Sequence, residues 1–282
     1  MRIANKIIKW HVYVFLYLPL VIMIFFSFNS AKSTSVFEGF SLKWYGELFS
    51  SSDTLEALRN TMILAIASAF IATVLGTLAA LGIYMVRNKI YKQSMLSVTN
   101  IPLMNPDIVT GVSLMLLFVF VGRALGFSQY LNFWTLLIAH VTFNLPYVIL
   151  NVLPKLNQTD KSLFEAAQDL GAPPPRAFFM VVLPQIVPGI ISGAIMAFTL
   201  SLDDFVISYY TSSGFQTLPL KIYSMTKKVV KPDMYALSSL IFLVVLVLLL
   251  GSNIFQMRAE NKTSRVLRKE QKARKKSKEI AV

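Results

Sequence analysis

Few side chains in this chain could do chemistry, and the ones that stand out are carboxylates in or beside apolar runs. Asp107 lies inside the run 93–122, and Asp203 and Asp204 close another, with Ser201 just before them and Tyr209 and Tyr210 just after. An Asp at the centre of a membrane-crossing helix costs roughly 2.5–3.5 kcal/mol on insertion scales, so it faces a cavity or a partner. The chemistry such groups offer is the holding of positive charge. Asp107, Asp203 and Asp204 would act as counter-ions, Ser201 as a hydroxyl, and Tyr209 through cation–π contact. Plainer roles stand beside these. Asn105-Pro106-Asp107 reads as the start of a new half-helix, with Asn105 as N-cap, Pro106 at N1 and the acid at N2, where the helix dipole favours it. Asp203 and Asp204, as helix neighbours, diverge by about 100°, so at most one points squarely along a path. Both could simply end a span at the interface, where Tyr209 and Tyr210 would be belt residues.

Bond-making chemistry has little to work with. There is no Cys, so no thiol nucleophile, disulfide or Cys-ligated metal. The two His, His11 and His140, are far apart in sequence. No Gly precedes a Lys, which excludes the G-x-x-x-x-G-K-[ST] phosphate loop. If ATP drives this protein, another chain binds it. His140, mid-way along an apolar run, reads as a satisfied interior polar group.

The elements that must position these residues are membrane helices. Of 282 residues, 55% are hydrophobic and 15% charged, where soluble domains carry about 25% charged. Mean hydropathy is +0.60. A crossing helix needs about 20 apolar residues. Charge-free or nearly charge-free runs place six spans near 12–28, 61–86, 95–121, 133–153, 186–206 and 236–257, the third interrupted at Asp107. The expectation is an all-α, multi-pass membrane protein. Lys and Arg number 19 on one side of such a topology and 8 on the other, which puts both termini in the cytoplasm. Without the tail the count nearly balances. The first span reads as an uncleaved signal anchor, being long for a signal peptide and lacking an A-x-A-like site. Residues 258–282 form a basic tail suited to anionic headgroups, or simply a solvated tail, rather than a nucleic-acid surface.

The longest loop on the cytoplasmic side of this topology, 154–185, is built like a docking element. Ser162 and Glu165 match an S-x-x-E capping box, Gly171 suits the left-handed C′ position, and Pro173 to Pro175 forbid continuation. The helix so defined has two to three turns, too short to be stable alone in water. Gly189 and Gly193 give a G-x-x-x-G for close packing in the fifth span.

Glu165-Ala166-Ala167, Gly171 and Leu183-Pro184, in that spacing, resemble the EAA loop of bacterial ATP-binding-cassette importer permeases, with Val181 where the family has Ile. Leu42-Lys43-Trp44-Tyr45, Asn105 to Val109, Leu200 to Asp204 and Leu218 to Met225 are similar to the second permease subunit of spermidine/putrescine importers. The resemblance covers most of 12–257 and implies a MetI-like permease domain over 1–257. It implies that Glu165, Ala166, Ala167 and Gly171 couple to an ATPase, and that the chain itself catalyses nothing. It implies as partners a second, different permease, two ATPase subunits carrying ATP and Mg, and an extracytoplasmic polyamine-binding protein, in a bacterial cytoplasmic membrane. A permease for an iron complex, an aminophosphonate or a sugar is the near alternative. An ATP-independent secondary transporter or channel is the distant one, and the EAA spacing argues against it.

Overall fold

The computed structural model describes residues 2–31, 36–227, 233–251, 254 and 257. The basic tail 258–282 lies outside the described residues. The chain runs α1 (Arg2–Ser27), α2 (Lys43–Ser50), α3 (Ser52–Met85), α4 (Lys89–Met104), α5 (Asp107–Ala124), α6 (Phe133–Gln158), α7 (Lys161–Asp169), α8 (Pro174–Ala177), a π-helical turn (Phe178–Val182), α9 (Leu183–Asp203), α10 (Val206–Thr211) and α11 (Leu218–Thr226). A last helix, α12 (Asp233–Gly251), follows. Among the described residues, six helical stretches are long and apolar enough to cross a membrane: Lys6–Ser27, Ser52–Met85, Asp107–Ala124, Phe133–Gln158, Pro174–Asp203 and Asp233–Gly251.

Several expected boundaries move, among them the second span, which begins at Ser52 and not at 61. The stretch 95–121 is two helices, and only the second, α5, is long and apolar enough to span. Asn105 is extended (φ −80°, ψ 141°) because the following proline excludes the helical region. The break expected at Asn105-Pro106 is present, but Asn105 is the C-cap of α4 and not the N-cap of α5, and Asp107 is the first residue of α5, not its second. The loop 154–185 is largely helical, since charges mark where lipid ends and not where the helix does. The fifth span starts at Pro174 and its helix stops at Asp203, short of 206.

Contacts divide the chain into two compact units. The first comprises Met1–Ile66, Asp107–His140 and Leu202–Leu246. Its apolar core gathers Trp44, Leu48, Ala57, Leu218, Ala236 and Leu237. Asn29 organises the turn after α1. Its side chain accepts from the N–H of Ala31 and Glu38, and its carbonyl accepts from Trp44 Nε1 at 2.6 Å. The Leu218 N–H donates to Thr61 Oγ1 at 2.7 Å, tying the start of α11 to α3. No residue in the most apolar stretch of α1 is buried within the chain, so that helix meets lipid or another subunit.

Among the described residues, the second unit comprises Ala67–Pro106, Val141–Ser201 and the end of α12 from Val247. Small residues set its spacing. A Cβ on Gly76 of α3 would lie 2.7 Å from Val148 Cβ of α6. One on Gly193 of α9 would lie 3.1 Å from Val148 Cα, and one on Gly189 would lie 2.7 Å from the Asn151 carbonyl oxygen. The G-x-x-x-G thus brings α9 onto the α6 backbone, as expected of the motif.

Candidate functional site

Helix α7 is held at both ends. Asp160, not Ser162, is its N-cap: Asp160 Oδ1 accepts from the Ser162 N–H at 3.0 Å and from its hydroxyl at 2.8 Å. The expected capping box does not form because an ionised carboxylate two residues upstream is the stronger acceptor. Glu165 is left on the exposed surface. At the far end Gly171 has φ +89°. Its N–H donates to Gln168 at 2.8 Å and the Ala172 N–H to Ala167 at 3.1 Å, the paired bonds of a Schellman motif. Leu163, Ala166 and Leu170, spaced i, i+3, i+7, are all exposed, whereas Phe164, Ala167 and Gln168 are half-buried. The inner side borders an apolar cavity of about 330 Å³ whose walls include Tyr84, Leu156, Phe164, Phe178 and Val182. A nine-residue helix with an exposed apolar stripe needs a partner surface.

The link from α7 back to α9 contains the π-helical turn, and Pro184 explains it. In an α-helix Pro184 could not donate to the Met180 carbonyl and its ring would collide with it. The wider turn avoids the collision, with the Leu183 N–H reaching back to the Phe178 carbonyl.

Around the end of α9 the two adjacent carboxylates part company. Asp204 turns inward: Oδ2 accepts from the Ser208 N–H at 2.8 Å, and Oδ1 from the Ile207 N–H at 3.2 Å. It therefore caps α10. His140 Nε2 of α6 stands 3.4 Å from Asp204 Oδ2 and 3.0 Å from Ser208 Oγ. His140 and Ser208 are each 1% exposed. Asp203 is exposed. Beside the break lies an aromatic cluster: Phe205 and Tyr223 rings are 4.4 Å apart, and Tyr209 packs edge-on to Tyr210 at 5.3 Å and to Tyr223 at 5.8 Å. Lys227 Nζ sits 4.6 Å from the Tyr223 ring centroid, so the cluster already attracts an ammonium group.

Asp107 is exposed in the first turn of α5, one turn before Gly111 on the same face. A Cβ at Gly111 would lie 3.1 Å from Tyr210 Cδ2 and 3.6 Å from Ile207 Cα, so α10 rests directly on α5 there. The first unit thus holds Asp107, Asp203, Asp204 and Tyr209. Ser201 belongs to the second unit, 2% exposed, with its hydroxyl 2.8 Å from Ser68 Oγ. Sequence reasoning missed Gly111, Phe205 and Tyr223. For Gly111 the i, i+4 relation to Asp107 was a usable signal, Tyr223 lay within the stretch Leu218 to Met225 that carries the resemblance, and Phe205 gave none.

Six helices long and apolar enough to cross a membrane, with an exposed, doubly capped helix before the fifth, define a polytopic helical membrane protein. The chain belongs to the family of binding-protein-dependent transport system inner membrane components, whose model matches residues 72–265. It is 38% identical over 255 residues to the spermidine/putrescine transport system permease protein PotC of Escherichia coli K12, covering 89% of this chain and 92% of that one. It is 40% identical over 232 residues to the putrescine transport system permease protein PotI of the same strain, covering 81% and 82%. PotC of Haemophilus influenzae is 38% identical, covering 86% and 92%. The fold matches that of a bacterial transporter importing the acidic polysaccharide alginate (TM-score 0.66, 17% identity, 92% of this chain and 99% of that one). It also matches the MetNI methionine transporter (TM-score 0.58, 17% identity, 74% and 99%). This is a multi-pass permease subunit of the cytoplasmic membrane.

Proposed function

We propose that this chain is one of two different permease subunits of an importer for polyamines, the solutes in the names of PotC and PotI. An extracytoplasmic binding protein delivers the solute, and two ATPase subunits holding ATP and Mg drive its passage. Both termini face the cytoplasm. Helix α7, with Glu165, Ala166, Ala167 and Gly171, is the contact to an ATPase. The observation that carries the cationic reading is the exposed Asp203 beside the Phe205–Tyr209–Tyr223 cluster, with a lysine ammonium already over one ring. An aliphatic polyamine presents ammonium groups separated by methylenes. Carboxylates replace part of the water each ammonium sheds, and aromatic rings accept both the charge and the methylenes.

The test is uptake of radiolabelled putrescine and spermidine in cells lacking their own polyamine transport and expressing this chain with its partner subunits. Saturable, ATP-dependent uptake of an oligoamine is expected. Uptake of a neutral or anionic solute in place of any polyamine would sink this reading.

A further inference from the structure

We propose that His140 is a positioning residue for transport. It acts through Asp204 to hold α10, and with it Tyr209, in the register that serves the solute; this rests on the reading of Asp203 and its aromatic neighbours as a polyamine-facing surface. Helix α10 has six residues, too few to hold a direction by itself. Its first turn is fixed from two sides. Asp204 accepts two of its amide N–H groups, and Gly111 of α5 lets its backbone approach without a gap. The Asp204 side chain is 8% exposed, so its charge needs a further donor from inside the protein. His140 supplies one from α6. In the tautomer with the proton on Nε2, that nitrogen donates toward the carboxylate 3.4 Å away, and it also reaches Ser208 Oγ at 3.0 Å, one turn along from Asp204. One imidazole therefore ties α6 both to the residue that caps α10 and to α10 itself. Tyr209 and Tyr210 follow Ser208 directly, so any roll of α10 carries them with it.

The arrangement also assigns different work to neighbouring acids. Asp204, committed to His140 and two amides, is withdrawn from the solute, and Asp203 is the acid this junction presents. The spacing between Asp203 and the aromatic rings then depends on the roll of α10, and through it on His140. Amines of different length would sense that spacing differently.

The experiment measures the ratio of spermidine to putrescine uptake by the full assembly, a quantity independent of how much protein reaches the membrane. His140→Leu should shift the ratio by about fivefold, and His140→Gln, which keeps a donor of similar reach, should largely restore it. In an Asp204→Asn background His140→Leu should add little, because the two residues act as a unit. Asp203→Asn serves as the control for the surface itself. A ratio unmoved by His140→Leu but moved by Asp203→Asn overturns the positioning role and leaves the polyamine surface standing. A ratio moved by neither removes the surface, and the positioning role with it. If His140→Leu does not accumulate, Asp204→Asn and Ser208→Ala cut the same junction from its other members, and an unchanged ratio in both overturns the proposal.

Discussion

Asp203 and Asp204 are consecutive in the chain and opposite in environment: the first is exposed, and the second is turned inward onto two α10 amides and His140. The helix ends between them, so the roughly 100° separation of helical neighbours becomes a separation of roles. Asp203→Asn is expected to lower polyamine uptake severalfold at normal protein abundance. Asp204→Asn is expected to lower abundance or thermal stability as well, since losing a buried cap and its partner costs about 1–3 kcal/mol. Quantitative immunoblots paired with uptake assays separate the two. Identical profiles for the two variants would contradict the division.

How much of this was legible beforehand follows from range. Charge-free runs are local and long, and they foretell six spans. Pro106 after Asn105 is a local steric rule, and the helix breaks there. Gly171 marks a left-handed position through its own backbone. What escaped depends on partners distant in sequence. The inward Asp204 has His140, over 60 residues upstream, 3.4 Å from its carboxylate, and Ser201 lies against Ser68, 133 residues away. The choice of Asp160 over Ser162 as cap is a competition between two good acceptors, which spacing alone does not rank.

Gly171→Val places a β-branched side chain at φ +89°. No neighbour lies within 4 Å of its Cβ, so the penalty is conformational, about 1–2 kcal/mol, and confined to the end of α7. Insertion of the chain should be normal while uptake falls several-fold. Co-purification of the ATPase with the variant assembly is the measurement. Full uptake with the ATPase bound as in wild type would show that α7 tolerates a disordered exit and is not the coupling contact.

Pro184→Ala restores an N–H that can pair with the Met180 carbonyl and removes the ring that forbids it. The π turn over Phe178–Val182 then relaxes towards α geometry, and residues before it rotate about the α9 axis by up to roughly 100°. Helix α7 lies beyond that turn. The expected result in reconstituted vesicles is ATP hydrolysis with fewer polyamine molecules moved per ATP. An unchanged ratio would mean that the π turn is only a local accommodation of proline.

Asp107 admits two accounts, and one pair of variants separates them. It opens α5 behind Pro106, where its charge suits the helix N-terminus, and it is exposed one turn from the Gly111 contact with α10. As a first-turn acid it contributes only about 0.3–1 kcal/mol through the helix dipole, too little for its loss in asparagine to change abundance. As a counter-ion on the solute path it works only through charge, which asparagine abolishes at nearly constant size. The polyamine reading therefore predicts that Asp107→Asn lowers uptake by about tenfold with normal abundance and normal ATPase association, because compensating a desolvated ammonium is a charge effect. Asp107→Leu should lose uptake and, in addition, some abundance. Uptake equal to wild type in Asp107→Asn, with a loss confined to Asp107→Leu, would make the residue a structural first-turn acid. The cationic path would then rest on Asp203 and the aromatic cluster alone.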